Sequence, residues 1–156
     1  MTFEVLTFDL AKNSWAIDGL AVYEKKIKAF EGLKITYLKV PAKSRKNQME
    51  AKRISSEKLL AAMDPHAFKI CFDERGDVLS SEKFSKRLSQ ALESGKQKTQ
   101  FIIGGPYGLD LAVRNNCQMS ISLSSLVMNQ EVALLVAMEQ VYRAFTIRHG
   151  LPYHNI

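Results

Sequence analysis

The order in which two kinds of segment alternate constrains this chain most. Short runs of apolar, β-branched and aromatic residues take turns with stretches whose apolar residues recur at helical spacing. Residues 2–8, "TFEVLTF", read as a strand. Ala16, Leu20, Tyr23, Ile27 and Phe30 then share one helical face, with lysines opposite and Asn13 or Ser14 as the expected cap. "LKITYLKV", Leu33 to Val40, is a second strand closed by Pro41. The second half of "AKSRKNQMEAKRISSEKLLAAM" reads as an amphipathic helix ending near Asp64-Pro65. Phe68 to Asp73 is a third strand, followed by a turn at Glu74-Arg75-Gly76. Ser80 or Ser81 caps the clearest helix, striped by Phe84, Leu88, Ala91 and Leu92 and stopped by Gly95. "TQFIIGG" is a fourth strand, apolar enough at its end to be buried on both faces. A short helix around Asp110–Asn115, a fifth strand "MSISLS" and a last helix from Gln130 to Ile147, capped by Asn129, complete the pattern.

Strands alternating with helices predict an α/β fold: a mostly parallel sheet flanked by helices. No internal repeat or linker interrupts the 156 residues, so one domain over 1–156 is expected. No apolar run approaches the roughly 20 residues that span a bilayer. Glu4 and Asp9 stand where a signal peptide needs a basic start and an apolar stretch, which predicts a cytoplasmic protein without a membrane partner. Cys71 and Cys117 form no C-x-x-C pair, and His66, His149 and His154 have no ligand spacing with them, so no metal is expected. The net charge of +6 favours polyanionic partners, nucleic acid first.

In sheets of this kind ligands sit off the carboxyl ends of the strands. That directs attention to the loops after Asp73, Ile103 and Ser124. "FIIGGPYGLD", Phe101 to Asp110, follows a strand and precedes a helix, the usual setting of a nucleotide loop. It is neither G-x-G-x-x-G nor G-x-x-x-x-G-K-[ST], and Pro106 removes an N–H that a phosphate nest needs. Its glycines suit either an uncharged or zwitterionic ligand brought close to bare backbone, or a tight turn with no ligand. "SLSSLVMNQ", Ser122 to Gln130, mixes serines with apolar side chains. It can enclose a flat apolar group or simply anchor a crossover.

Glu139, Tyr142 and Arg143 share a face of the last helix. Tyr153 and His154 follow Pro152 near the end. They either act on a substrate or partner, or form an idle tail. "KSRKNQMEAKR", Lys43 to Arg53, is a basic run fit for phosphate contacts or for a solvated surface.

Taken together, "FIIGGPYGL", "ISLSSL", "EQVYRAF" and "LPYH" make the chain resemble the RlmH family, the ribosomal RNA large-subunit pseudouridine methyltransferases of the SPOUT superfamily. Trp15, Tyr23, the V-P-A turn and Asp73-x-x-Gly76 extend the resemblance over essentially the whole length. It implies a C-terminal trefoil knot, a homodimer with the site at the subunit interface, and S-adenosylmethionine as methyl donor. The donor positions it implies are Phe72, Gly104, Leu123, Ser124, Ser125, Leu126, Val127 and Met128. The acceptor it implies is N3 of a pseudouridine in 23S ribosomal RNA of the assembled ribosome. Arg143, Tyr153 and His154 would lie beside the target base, the tail coming from either subunit. The chain departs from the pattern at Gln130 and Leu134, where the family usually has histidine and arginine, and at Phe8-Asp9, where a glycine is common. Four residues apart on one helix, Gln130 and Leu134 are expected beside the site together. The alternative is a non-catalytic or retargeted RNA- or ribosome-binding member of the same fold.

Overall fold

Five parallel strands form one sheet, in which, counted in chain order, the first strand lies between the second and the fourth, and the third between the fourth and the fifth. The computed structural model describes residues 1–39 and 47–155. The strands are β1 (Thr2–Phe8), β2 (Gly32–Leu38), β3 (Phe68–Val78), β4 (Lys98–Ile103) and β5 (Met119–Ser122). The helices are α1 (Ala16–Lys28), α2 (Gln48–Ala62), α3 (Ser81–Glu93), α4 (Leu111–Asn115) and α5 (Gln130–Arg148). Val40, Pro41 and the Lys43–Lys46 part of the basic run lie outside the described residues.

Alternation along the strands sorts the core into two layers. On one face, Phe3 and Val5 of β1 join Phe101 and Ile103 of β4, and α1, α3 and α5 cover them with Leu20, Leu88 and Phe145. On the other face, Leu6, Phe8 and Ile102 meet Leu59 of α2 and Val113 of α4. β4, at the centre, is buried from Thr99 to Ile103, as its apolar end predicts. Aromatic rings bridge the first layer. Phe3 stacks on Phe101 at 5.7 Å and meets Phe145 edge-on at 5.2 Å, and Phe72 stacks on Phe101 at 6.1 Å.

Four of the helix starts follow from their caps, beginning with Asn47 of α2, whose side chain accepts from the Met49 and Glu50 N–H groups. Ser80, Asp110 and Asn129 each accept a hydrogen bond from a backbone N–H of the first turn. At α1 Trp15 holds the N-cap position without a side-chain cap, and the expected Ser14 serves from one residue earlier: its hydroxyl oxygen accepts from the Ala16 N–H at 3.2 Å while the hydroxyl donates to the Glu131 carboxylate on α5. The expected turn at Glu74-Arg75-Gly76 is instead an irregular stretch inside β3. Phe72 and Asp77 both pair with Ile121 of β5, so the residues between them bulge out and pairing then resumes. Gly76 permits this: a Cβ there would lie 2.6 Å from the Ile121 nitrogen and the Ser120 carbonyl carbon.

Candidate active site

A cavity of about 350 Å³ opens off the carboxyl ends of β3, β4 and β5. Phe72, Gly104, Leu123, Ser124, Leu126, Val127 and Met128 line it, all positions that the sequence singled out. Ser125 lies on the same loop but is exposed and off the wall.

The glycine loop is a tight turn, and it also lines the cavity. Gly108 donates its N–H to the Gly105 carbonyl at 3.0 Å, closing a four-residue turn around Pro106-Tyr107. Gly108 has φ 73°, which glycine adopts without strain. A Cβ on Gly104 would lie 2.9 Å from the Gly108 carbonyl carbon. The wall there must therefore be bare backbone. The serine loop is held by its own hydroxyls. Ser122 Oγ donates to the Ser124 carbonyl at 2.8 Å, and Ser124 Oγ accepts from the Leu126 N–H at 2.9 Å. That frees Leu126 and Val127 to stand on the rim, 77% and 81% exposed.

Sequence reasoning missed the polar part of the wall. Asp73, Glu74 and Arg75 from β3, and Gln48 and Lys52 from α2, also face the cavity. Arg75 grips Asp73 through two bonds, Nε to Oδ1 at 2.9 Å and Nη2 to Oδ2 at 3.0 Å, and Nη2 also donates to the Leu109 carbonyl at 2.9 Å. The bulge of β3 is thus tied to the glycine loop. Burial pushes the Asp73 carboxyl up, but hydrogen bonds from Arg75 and the charges of Arg75 and Arg114 hold it below its ordinary value. The motif Asp73-x-x-Gly76 was the available signal: its first residue anchors the arginine and its last admits β5.

The two departures separate in space. Gln130 lines the cavity, and its side-chain amide donates to the Phe8 carbonyl at 2.6 Å. Phe8 in turn lays its ring against Gly105. Leu134 does not stand beside the site as expected. It is wholly buried in the core under α5, because that core needs an apolar knob one turn on.

Arg143, Tyr153 and His154 come together, but elsewhere. Glu139 holds the Arg143 guanidinium at 3.0 Å from Nε and 2.6 Å from Nη2. Tyr153 lies under that guanidinium, 4.7 Å from ring centre to Cζ, and its hydroxyl donates to Glu139 at 3.1 Å. Arg143 Nη1 donates to His154 Nδ1 at 3.2 Å, and His154 Nε2 meets Glu82 at 2.8 Å. A guanidinium can only donate, so Nδ1 accepts and the ring proton sits on Nε2, facing the carboxylate. Burial and the neighbouring Tyr23 and Glu139 push the Tyr153 hydroxyl well above its ordinary value. Ala133 is the last α5 residue on the cavity wall. Arg143 stands roughly 15 Å further along the helix axis at 1.5 Å per residue.

The fold and the cavity define an α/β protein with a small-molecule-sized cavity, walled in part by bare backbone, at the carboxyl edge of a parallel sheet. Residues 1–154 match the family described as "Predicted SPOUT methyltransferase". The chain is 38% identical over its whole length, and that of the relative, to the ribosomal RNA large subunit methyltransferase H of Bdellovibrio bacteriovorus. It is 34% identical over 99% of its length to the protein of that name from Streptococcus pneumoniae, matched over 100% of that relative. A solved structure described as a probable methylase family protein from Haemophilus influenzae Rd KW20 shares the fold, with a TM-score of 0.57 at 13% identity. That match covers 99% of this chain and 70% of the other. The chain belongs to the SPOUT methyltransferase family, whose methyl donor is S-adenosylmethionine, as the sequence resemblance implied.

The residues present fit that donor. The cavity lies in the size range of small-molecule sites. Phe72, Leu123 and Met128 offer apolar contact to a flat ring, Gly104 leaves backbone polar atoms open to its edge, and the Glu74 carboxylate suits a cationic group. Among the described residues no group of histidine, cysteine and carboxylate could hold a metal ion, and no helix is long and apolar enough to cross a membrane.

Proposed function

We propose that this chain methylates N3 of a pseudouridine in 23S ribosomal RNA of the assembled ribosome, in the cytoplasm, as a single domain that works as a homodimer. One observation carries the reading: seven of the eight positions that the family resemblance assigned to the donor, all but Ser125, meet in one cavity at the carboxyl edge of the sheet. In this reading Phe72, Gly104 and the 123–128 loop, Ser125 included, hold the donor, and the chain after β4 forms the family's trefoil knot. S-adenosylmethionine supplies, when bound, a methyl group on a sulfonium sulfur that is ready for attack.

The chain's own residues align the acceptor and manage its proton. Arg143 steadies negative charge developing on the uracil-like ring. In the docked tail both nitrogens of His154 are engaged, by Arg143 and by Glu82. When Arg143 turns to the base, Nδ1 is released and can accept the N3 proton. Tyr153, which keeps its proton, orients Glu139 and thereby Arg143. Methyl transfer requires the reacting groups to be about 3 Å apart. The ~15 Å of helix between the cavity and Arg143 in one protomer therefore supports a site shared between two subunits. The exposed Leu126, Val127, Trp15 and Ile17 offer apolar surface for the second copy.

A methyl group on N3 blocks the pairing edge of the base and stops reverse transcription. Primer extension on ribosomal RNA from cells lacking the gene tests the assignment. Loss of one stop in the large-subunit RNA is expected, and persistence of every stop would reject the substrate.

A further inference from the structure

The cavity wall carries four charged side chains, and two of them neutralise each other. Arg75 and Asp73 are locked together in two parallel hydrogen bonds. That leaves Lys52 on α2 and Glu74 on β3. Neither makes a hydrogen bond or ion pair with another side chain among the described residues, and both face the same space. Lys52 is half-buried and Glu74 is exposed, so the cation sits within the wall and the anion at its mouth. Among the described residues one available cation and one available anion complement a ligand end that carries both charges, whereas a phosphate would find Glu74 opposed to it.

We infer that Lys52 and Glu74 read the α-amino acid end of the methyl donor, Lys52 pairing with its carboxylate and Glu74 with its ammonium. The inference rests on the donor reading above and deepens it. The apolar and backbone parts of the wall take the nucleoside, and these two side chains distinguish the full donor from nucleosides without an amino acid. Gln48, one turn before Lys52 on the same face of α2, adds an amide beside the carboxylate.

Titration calorimetry on the full chain with two probes tests this. S-adenosylmethionine carries the zwitterionic end, and 5′-methylthioadenosine is the nucleoside thioether without it. Lys52→Met and Glu74→Gln are each expected to weaken S-adenosylmethionine about tenfold, the worth of a charge-assisted hydrogen bond, and to leave 5′-methylthioadenosine unchanged. Equal weakening of both probes would mean that the side chains only shape the cavity and would overturn the inference. So would unchanged affinity for S-adenosylmethionine in both variants, including the case in which Lys52→Met weakens only RNA binding. If the unaltered protein bound neither probe, the donor reading itself would fail and this inference with it.

Discussion

Glu4 shows how much a single buried carboxylate can decide. It lies on interior strand β1, where Lys98 reaches one oxygen at 2.6 Å, Gln100 donates at 2.9 Å and Thr36 at 2.7 Å. Burial pushes its carboxyl up, but these hydrogen bonds and the Lys98 charge outweigh that and lower it from 4.5. A lowered folded value means that the stabilisation is full above the ordinary value and disappears as the pH falls through the lowered one. Urea melts should therefore show stability declining below about pH 4.5. Glu4→Gln should be less stable at neutral pH and flatter across that window, and an unchanged pH slope would contradict this account. Leu134 belongs to the same scale. It is wholly buried in the core, so Leu134→Ala should cost about 2–5 kcal/mol in denaturant melts. The folded variant should keep its affinity for S-adenosylmethionine. A large loss of affinity with little loss of stability would return Leu134 to the site.

Among the elements, β3 is the one whose length the sequence did not disclose. Glu74-Arg75-Gly76 has the composition of a turn, and locally nothing contradicts that. What carries the strand on is tertiary: pairing with β5 resumes at Asp77, and Gly76 lets the backbones touch. Gly76→Ala should then cost about 1–3 kcal/mol from overpacking, read by thermal or urea unfolding. Wild-type stability would mean that the bulge can shift freely. The other elements were legible because each start is written locally, as at Ser80, Asp110 and Asn129. At α1 the local part of the cap was legible, since Ser14 accepts from the Ala16 N–H, but its second partner was not, since Glu131 lies 117 residues away. The same limit applies to the cavity. Its glycine and serine loops follow directly after strands and could be read as such. Gln48 and Lys52 arrive from a helix on the far layer, and no local pattern says which way that helix turns.

At the scale of the molecule, the question is how the cavity and the Arg143 cluster meet. The sequence placed both in one site, and the sheet order explains why one protomer separates them. The cavity gathers at the start of α5 and the tail docks at its end, against Glu82 on α3 and Lys26 on α1. A shared site predicts complementation. Gly104→Val, which crowds the donor wall, and Arg143→Ala should each be inactive alone. Mixed subunits, allowed to reassort, should recover about a quarter of the unaltered activity, because half the dimers then carry one intact site of two. A site built within one subunit would leave the mixture inactive.

The central claim is that this fold, with these loops, moves a methyl group to a pseudouridine of the large ribosomal subunit. The most direct test incubates the purified protein with ribosomes from cells lacking its gene and methyl-labelled S-adenosylmethionine, then separates the nucleosides of each ribosomal RNA. Label in 23S RNA as a single N3-methylated pseudouridine is the expected result. Label in another nucleoside or another RNA, or bound donor with no label transferred, would contradict it.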